Sequence, residues 1–308
     1  MSNVIQCLAV SAQPDRYDWG STMGTSQKQN ASNSYIHTPT RKASVNGLQF
    51  AYRRLGPEGG IPVVFLHHLG GNLDEWDPRV VDGIAARRPV ITFDNRGVGA
   101  SEGKTPRTVE EMARDAVAFI RTLGYDQVDL LGFSLGGFVS QVIAQQEPQL
   151  IRKIILAGTG PAGGVGIAKI NSIAIGQFTK AALTFRHPKR YLFFTQTANG
   201  QQAARAFLGR LKERKTDRDK AASGQTTRAH LKAVRAWGLE KPHDLSVVTQ
   251  PVLVANGESD AMVPSSNSND LARRLPHSEL VLYPDAGHGG IFQFHDAFVA
   301  KALEFYES

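Results

Sequence analysis

Continuous apolar runs of strand length alternate with helical patterns through most of this 308-residue chain, and this alternation constrains the fold most strongly. An uninterrupted apolar strand suits a sheet covered on both faces, because each side of the strand then meets a core. Regular strand–helix alternation predicts an α/β fold with a mostly parallel, doubly wound sheet. The predicted strands are residues 62–66, 89–93, 127–131, 151–157, 251–256 and 279–283.

Two further patterns complete this prediction. The pair Asn46-Gly47 separates two short strand-like runs and favours a tight turn, so residues 43–54 are predicted to form a β-hairpin. Apolar residues at helical spacing predict helices between the strands. These helices cover residues 109–123, 135–146, 265–275 and 292–306.

One long stretch breaks the alternation. Between the strand that ends near Ala157 and the one that starts near Pro251, the sequence shows helical patterns and no clear strand. We predict that residues 159–244 form a helical lid over the edge of the sheet where ligands bind. The core of the fold then consists of residues 41–158 and 245–308.

The first forty residues differ from the rest in composition. Residues 1–40 are rich in Ser, Gln, Asn and Thr and show no period, which predicts a flexible extension. The alternative is an arm that packs on the body of the protein through Tyr17 and Trp19.

Cysteine content and hydropathy indicate the cellular compartment in which the protein is expected. The chain has a single cysteine, Cys7, so an intrachain disulfide is excluded. The N-terminal apolar run has no preceding basic residues, and no later run is long enough to span a bilayer. We therefore predict a cytoplasmic protein without a membrane partner.

Positive charge is concentrated in one part of the chain. The formal net charge is +7, yet residues 180–241 alone contain 15 Lys and Arg against four Asp and Glu. This local excess either favours an anionic substrate or belongs to a solvated helical face. No recognised nucleic-acid-binding module accompanies it, so no nucleic-acid partner is predicted.

The sequence Gly-Phe-Ser-Leu-Gly at residues 132–136 follows an apolar strand and opens a helix. Small flanking residues allow the sharp strand–turn–helix elbow in which a serine nucleophile is held in a strained conformation. The start of the following helix favours negative charge near the serine. Ser134 is therefore the predicted nucleophile.

Two further residues complete a catalytic set. Asp260 follows one predicted strand and His288 follows the next, so the chain order is Ser, Asp, His. His288 is predicted to act as the base and Asp260 to orient it. Glu258 and Asp285 are rival acids, but each lies off the expected place.

With these motifs the chain resembles the α/β-hydrolase superfamily from about Val45 to the C-terminus. Three other stretches also carry the resemblance. With the motifs around Ser134 and His288, they give five motifs in the family's order. They are Phe-Leu-His-His-Leu-Gly-Gly at 65–71, Asp-Asn-Arg-Gly-Val-Gly-Ala-Ser at 94–101, and the Gly-x-x-Asp-x-x-Val-Pro pattern at 257–264.

The resemblance implies that the backbone N–H groups of Leu69 and Leu135 form an oxyanion hole. Many relatives have glycine where this chain has His68, which is expected either to be packed and hydrogen-bonded or to provide a second histidine near the site. His68, Trp76 and Phe133 are candidates for the substrate pocket. Trp76 and the aromatic residues of the predicted lid could equally belong to the core.

The expected function is hydrolysis of a small carboxylic ester or lactone through an acyl-enzyme on Ser134. Alternatives with the same fold are a cofactor-free haloperoxidase or perhydrolase, a C–C bond hydrolase, and a non-catalytic or slow-turnover ligand receptor. No cofactor and no metal are predicted, because neighbouring His67 and His68 side chains diverge and no other ligand pattern is present. The expected partner is a small-molecule substrate that is apolar and can also carry a negative charge.

Overall fold

The computed structural model describes residues 34–308, which form an eight-stranded sheet with helices on both faces. The strand order is β1-β2-β4-β3-β5-β6-β7-β8. The β1–β2 and β2–β4 pairs are antiparallel, and every other pair is parallel. The strands are β1 Arg41–Val45, β2 Leu48–Leu55, β3 Val63–Leu66, β4 Val90–Phe93, β5 Val128–Phe133, β6 Ile151–Ala157, β7 Val252–Gly257 and β8 Ser278–Tyr283.

The α-helices of the described chain lie between these strands and, for the last two, after β8. They are α1 Pro78–Ala85, α2 Val109–Thr122, α3 Leu135–Gln146, α4 Ile170–Leu183, α5 Lys189–Leu192, α6 Ala198–Arg210, α7 Gly224–Leu239, α8 Ser266–Arg274, α9 Gly290–Gln293 and α10 His295–Glu307. Two short 3₁₀ helices cover Leu73–Glu75 and Ile167–Lys169. The mostly parallel α/β sheet and the predicted strands are thus confirmed.

Sequence reasoning missed helix α1. Its start signals are present in the chain, because Asp77 accepts a hydrogen bond from the Arg79 N–H and Pro78 occupies the first turn. The helix is only eight residues long and contains Gly83, so its periodic pattern is too short to stand out.

The sheet separates two apolar clusters, which explains the continuous apolar strands. In β3, Val64 and Leu66 belong to one cluster, whereas Val63 and Phe65 belong to the other. All four side chains are buried, because successive residues of a strand point to opposite faces and both faces are covered by helices.

Residues 159–244 form helices and contain no strand. We call this segment the helical insertion. It packs on the core of the fold: the Trp237 ring of α7 stacks on Phe138 of helix α3 at 5.3 Å, and Phe207 is also fully buried. Phe178 and Phe185 are instead exposed by 50% and 97%. The aromatic residues of the insertion therefore divide between core and surface.

Residues 34–40 pack on the body of the protein, so the prediction of a flexible extension is wrong for this segment. Tyr35 is buried, and its hydroxyl donates to the Leu73 carbonyl oxygen at 2.5 Å. Its backbone N–H donates to Asp82 at 2.6 Å, and Thr38 is buried as well. Cys7, Tyr17 and Trp19 lie outside the described residues.

Within residues 34–308, no helix is both long and apolar enough to cross a bilayer.

Replacing Tyr35 by alanine tests whether residues 34–40 belong to the folded body. We expect Tyr35→Ala to lower the free energy of unfolding by about 3 kcal/mol, because a large buried ring and its hydrogen bonds are lost. Urea unfolding followed by circular dichroism measures this change. His37→Ala is the control, since His37 is exposed in the same segment. Equal unfolding midpoints for the two variants would show that the segment contributes nothing.

Candidate active site

Ser134 occupies a sharp turn between β5 and α3, with φ of 56° and ψ of −116°. This left-handed conformation is costly for a residue with a side chain, and such strain is concentrated at functional sites. Close packing enforces the turn: a Cβ on Gly136 would lie 1.9 Å from the Leu66 carbonyl oxygen, and one on Gly132 would lie 2.3 Å from Ser140 Oγ. The glycines therefore allow helix α3 to begin against β3.

Asp260 and His288 form a buried hydrogen-bonded pair. Asp260 follows β7, His288 follows β8, and His288 Nδ1 lies 2.8 Å from Asp260 Oδ2. Asp260 Oδ1 accepts the backbone N–H groups of Met262 and Val263 at 2.8 and 2.9 Å. These bonds fix the carboxylate, which in turn favours the tautomer with the proton on Nδ1 and leaves Nε2 available as an acceptor.

The structure also decides between the rival acids. Asp285 accepts hydrogen bonds from the hydroxyl groups of Thr195 and Thr197 in the helical insertion, at 3.1 and 2.9 Å. Glu258 is exposed. Neither carboxylate contacts the imidazole of His288, so Asp260 is its acidic partner.

Ser134 and His288 lie at the same edge of the sheet, because β5, β7 and β8 are parallel and each residue follows the carboxyl end of its strand. The ring of Phe133, the residue before Ser134, lies 5.1 Å from the His288 ring. The structure has no hydrogen bond between Ser134 and His288 themselves. In ligand-free sites such bonds are often long and tighten when substrate binds.

Two backbone donors face no protein acceptor at this edge. Leu135 is the first residue of α3, so its N–H has no intrahelical partner. The Leu69 N–H likewise makes no hydrogen bond with any described residue. The neighbouring groups are held in place, since His68 Nδ1 lies 2.9 Å from the Leu69 carbonyl oxygen and the Gly70 N–H donates to His230 Nδ1 at 3.0 Å.

Comparison with known proteins identifies the fold family. A model of the α/β-hydrolase fold family matches residues 61–294. The chain belongs to the α/β-hydrolase family. A solved α/β-hydrolase fold protein from Chitinophaga pinensis is 40% identical in sequence, has a TM-score of 0.85, and the match covers 90% of this chain and 100% of that one. The resemblance inferred from the motifs is therefore confirmed.

Two curated relatives are more distant. A Mycobacterium tuberculosis protein with the provisional name non-heme bromoperoxidase BpoC is 28% identical over 81% of this chain and 95% of its own length. An Agrobacterium fabrum protein with the provisional name carbamate hydrolase RutD is 25% identical over 77% of this chain and 89% of its own length.

His68, which stands where many α/β hydrolases have glycine, is buried between aromatic rings. Its ring centroid lies 5.6 Å from that of Phe133 and 5.3 Å from that of Phe193. Its Nε2 is 3.6 Å from Glu75, which also pairs with Lys189 Nζ at 2.8 Å. Burial, reinforced by the charge of Lys189, lowers the pKa of His68, so the imidazole is neutral at neutral pH.

The other predicted pocket residues lie behind this site. Trp76 and Phe133 are almost fully buried, and Trp76 packs edge-on against Phe65 at 5.0 Å. Both therefore form the apolar core beneath the edge of the sheet. His67 packs against Trp76, and its Nδ1 accepts the His68 backbone N–H at 3.2 Å. Within residues 34–308, no cluster of three His, Cys, Asp or Glu side chains is placed to hold a metal ion.

His230 of helix α7 is a site residue that sequence reasoning missed. It is fully buried, and burial lowers its pKa to about 4. It is therefore neutral at neutral pH, and the Nδ1 that accepts the Gly70 N–H carries no proton. No local motif marks His230, because its partner lies 160 residues away in the chain. Lys189 and Glu75 were missed for the same reason.

The buried His230 should make stability depend on pH. The unfolded chain takes up a proton near pH 6.5, whereas the folded chain resists protonation until about pH 4. The unfolded state thus binds more protons between these values, and stability is lost as pH falls through this window. Between pH 7 and pH 5, wild type should lose about 2 kcal/mol more unfolding free energy than His230→Asn.

Urea unfolding of both proteins at the two pH values measures this difference. His67 and His68 also have pKa values lowered by burial, but both are present in the two proteins, and His230 is only a minor cause of the His68 shift, so most of their contribution cancels in the comparison. An identical pH dependence for wild type and His230→Asn would show that His230 is not held neutral in the folded state.

Proposed function

We propose that this α/β hydrolase cleaves a small carboxylic ester or lactone through an acyl-enzyme on Ser134. The observation that carries the proposal is the hydrogen-bonded pair of Asp260 and His288 at the same sheet edge as the strained Ser134. An aspartate–imidazole pair beside a serine in such a turn is suited to nucleophilic catalysis on a carbonyl group.

In the proposed mechanism, His288 Nε2 removes the Ser134 hydroxyl proton as Oγ attacks the carbonyl carbon of the substrate. The N–H groups of Leu69 and Leu135 bind the oxyanion that forms. The intermediate then collapses, the C–O bond breaks, and His288 transfers its proton to the departing alcohol oxygen. Asp260 stabilises the imidazolium throughout.

A second half-reaction returns the enzyme to its starting state. His288 removes a proton from water, whose oxygen attacks the acyl carbon on Ser134. The new oxyanion is bound by the same two N–H groups, and its collapse releases the carboxylic acid and restores the Ser134 hydroxyl. An ester or lactone is the simplest substrate for this sequence, because an alcohol oxygen leaves the tetrahedral intermediate more readily than an amide nitrogen does.

Labelling with a fluorophosphonate probe tests the activation of Ser134 without knowledge of the substrate. We expect stoichiometric labelling of the full-length protein at Ser134, located by mass spectrometry. Ser134→Ala and His288→Ala should abolish labelling, whereas Asp260→Asn should slow it by roughly 10³-fold or more because the imidazole loses its orienting partner. His277→Ala, which removes an exposed histidine, should label as wild type does.

The receptor alternative is separated from an enzyme by turnover. An enzyme releases many equivalents of carboxylic acid per protein from a hydrolysed ester or lactone, whereas a ligand receptor releases at most one. Folded wild-type protein that neither labels nor exceeds one equivalent across a panel of esters and lactones would reject the proposed hydrolase.

A second candidate function comes from the relative with the provisional name bromoperoxidase, which is 28% identical. At this site, the Ser134 hydroxyl would form an ester with acetic acid and release water, and hydrogen peroxide would then attack the acetyl carbon in place of water. The product is peracetic acid, which oxidises bromide to hypobromous acid and is itself reduced to acetic acid. Bromination that requires both acetate and peroxide, and that is absent in Ser134→Ala, would support this candidate.

A further inference from the structure

A cleft of about 660 Å³ opens between the turn that follows β4 and the N-terminal half of helix α7. Four basic side chains line it, and no acidic side chain does. Lys104 and Arg107 come from the core side, whereas Arg228 and Lys232 come from α7. We call this feature the basic cleft.

The charges of the basic cleft are not neutralised by the protein. None of its four basic side chains forms an ion pair with another residue of the described chain. The carboxylate of Glu111 accepts a hydrogen bond from the Arg107 backbone N–H and not from the Arg107 guanidinium. Arg228 and Lys232 stand four residues apart on one helix, an arrangement of like charges that destabilises a helix.

In a second cleft of the described chain, the arginine side chains are neutralised by ion pairs with glutamates. It has a volume of about 480 Å³, lies between α1 and α10, and is lined by Arg79 and Arg87. Arg79 pairs with Glu213 at 2.8 Å, and Arg87 pairs with Glu307 at 2.5 Å. The lack of acidic partners is therefore particular to the basic cleft, because the arginines of the second cleft have them.

The floor of the basic cleft is polar and fixed. Thr226 and Thr105 are buried, and their hydroxyl oxygens are 3.0 Å apart. Thr226 also donates to the Gly97 carbonyl oxygen at 2.9 Å, which joins α7 to the turn after β4. The two charged walls are thus held at a set separation, as a preorganised binding site requires.

The backbone of α7 adds to the positive electrostatic potential of the basic cleft. The N-cap residue Ser223 and the first-turn residues Gln225 and Thr226 of this 16-residue helix line the cleft. Unpaired N–H groups and the helix dipole place partial positive charge at a helix start. Guanidinium groups bind carboxylate and phosphate oxygens in pairs, and lysine adds a mobile point charge.

We propose that the basic cleft is a binding site for the carboxylate or phosphate group of an anionic small molecule. The proposal goes beyond hydrolysis at Ser134 and holds whether or not Ser134 is activated. The site is adjacent to the catalytic edge, since Thr226 lies one turn from His230 on α7, roughly 6 Å along the helix axis. His230 holds Gly70 beside the proposed oxyanion donor Leu69.

Calorimetric titration of the full-length protein at low salt tests the site, with inorganic phosphate and succinate as separate titrants. We expect saturable binding of one equivalent of at least one of them, and the tighter ligand identifies the preferred group. Arg228→Gln/Lys232→Gln should weaken binding at least about tenfold, because charge-assisted hydrogen bonds are lost. Arg235→Gln is the matched control: Arg235 is exposed on the same helix but does not line the cleft, so its loss should leave the affinity unchanged.

A second pair of substitutions keeps the test decisive if the first variant is poorly folded by circular dichroism. Lys104→Gln/Arg107→Gln removes the charges of the opposite wall and should weaken binding to a similar degree. Lack of saturable binding to wild type overturns the proposal. An equal loss of affinity in Arg235→Gln also overturns it, because attraction would then come from the general charge of the helix.

Discussion

The close approach of helix α3 to strand β3 at Gly136 is the constraint on which the site depends. A Cβ at this position would overlap the Leu66 carbonyl oxygen, so the helix can begin here only with glycine. The approach forces Ser134 into its left-handed conformation and leaves the Leu135 N–H unpaired at the start of the helix. Leu66 ends β3 three residues before Leu69, so the same contact also anchors the strand end from which the Leu69 loop starts.

The segment that follows β3 is held by the helical insertion as well as by the core. His230 accepts the Gly70 N–H, Lys189 pairs with Glu75, and Arg210 pairs with Asp77 at 2.6 Å. These three contacts come from three different helices of the insertion and meet one stretch of eight residues, 70–77. Any displacement of the insertion from the sheet must break buried polar contacts to this stretch, which makes the insertion part of the site's framework.

The sequence predicted those features that depend on local patterns. Continuous apolar runs identified strands such as β3, whose two faces both meet a core. Asp260 and His288 were predicted because each follows a strand within a short motif. Helix α1 was missed because eight residues are too few for a clear period, and Tyr35 was missed because its burial depends on partners 38 and 47 residues away. Lys189 and His230 carry no local motif, since only the tertiary fold buries them.

The distribution of charge shows most clearly why composition alone could not predict a ligand site. The basic excess of residues 180–241 was open to two interpretations, an anionic ligand or a solvated face. The structure divides it by environment. Arg210 and Lys189 are largely buried against carboxylates of the core, so their charges join the insertion to the sheet. Arg228 and Lys232 remain exposed and unpaired over a fixed polar floor. A count of charges does not distinguish these two pairs of residues. Arg210 and Lys189 are already paired with carboxylates in a desolvated environment. Only Arg228 and Lys232 therefore have charge available for a ligand.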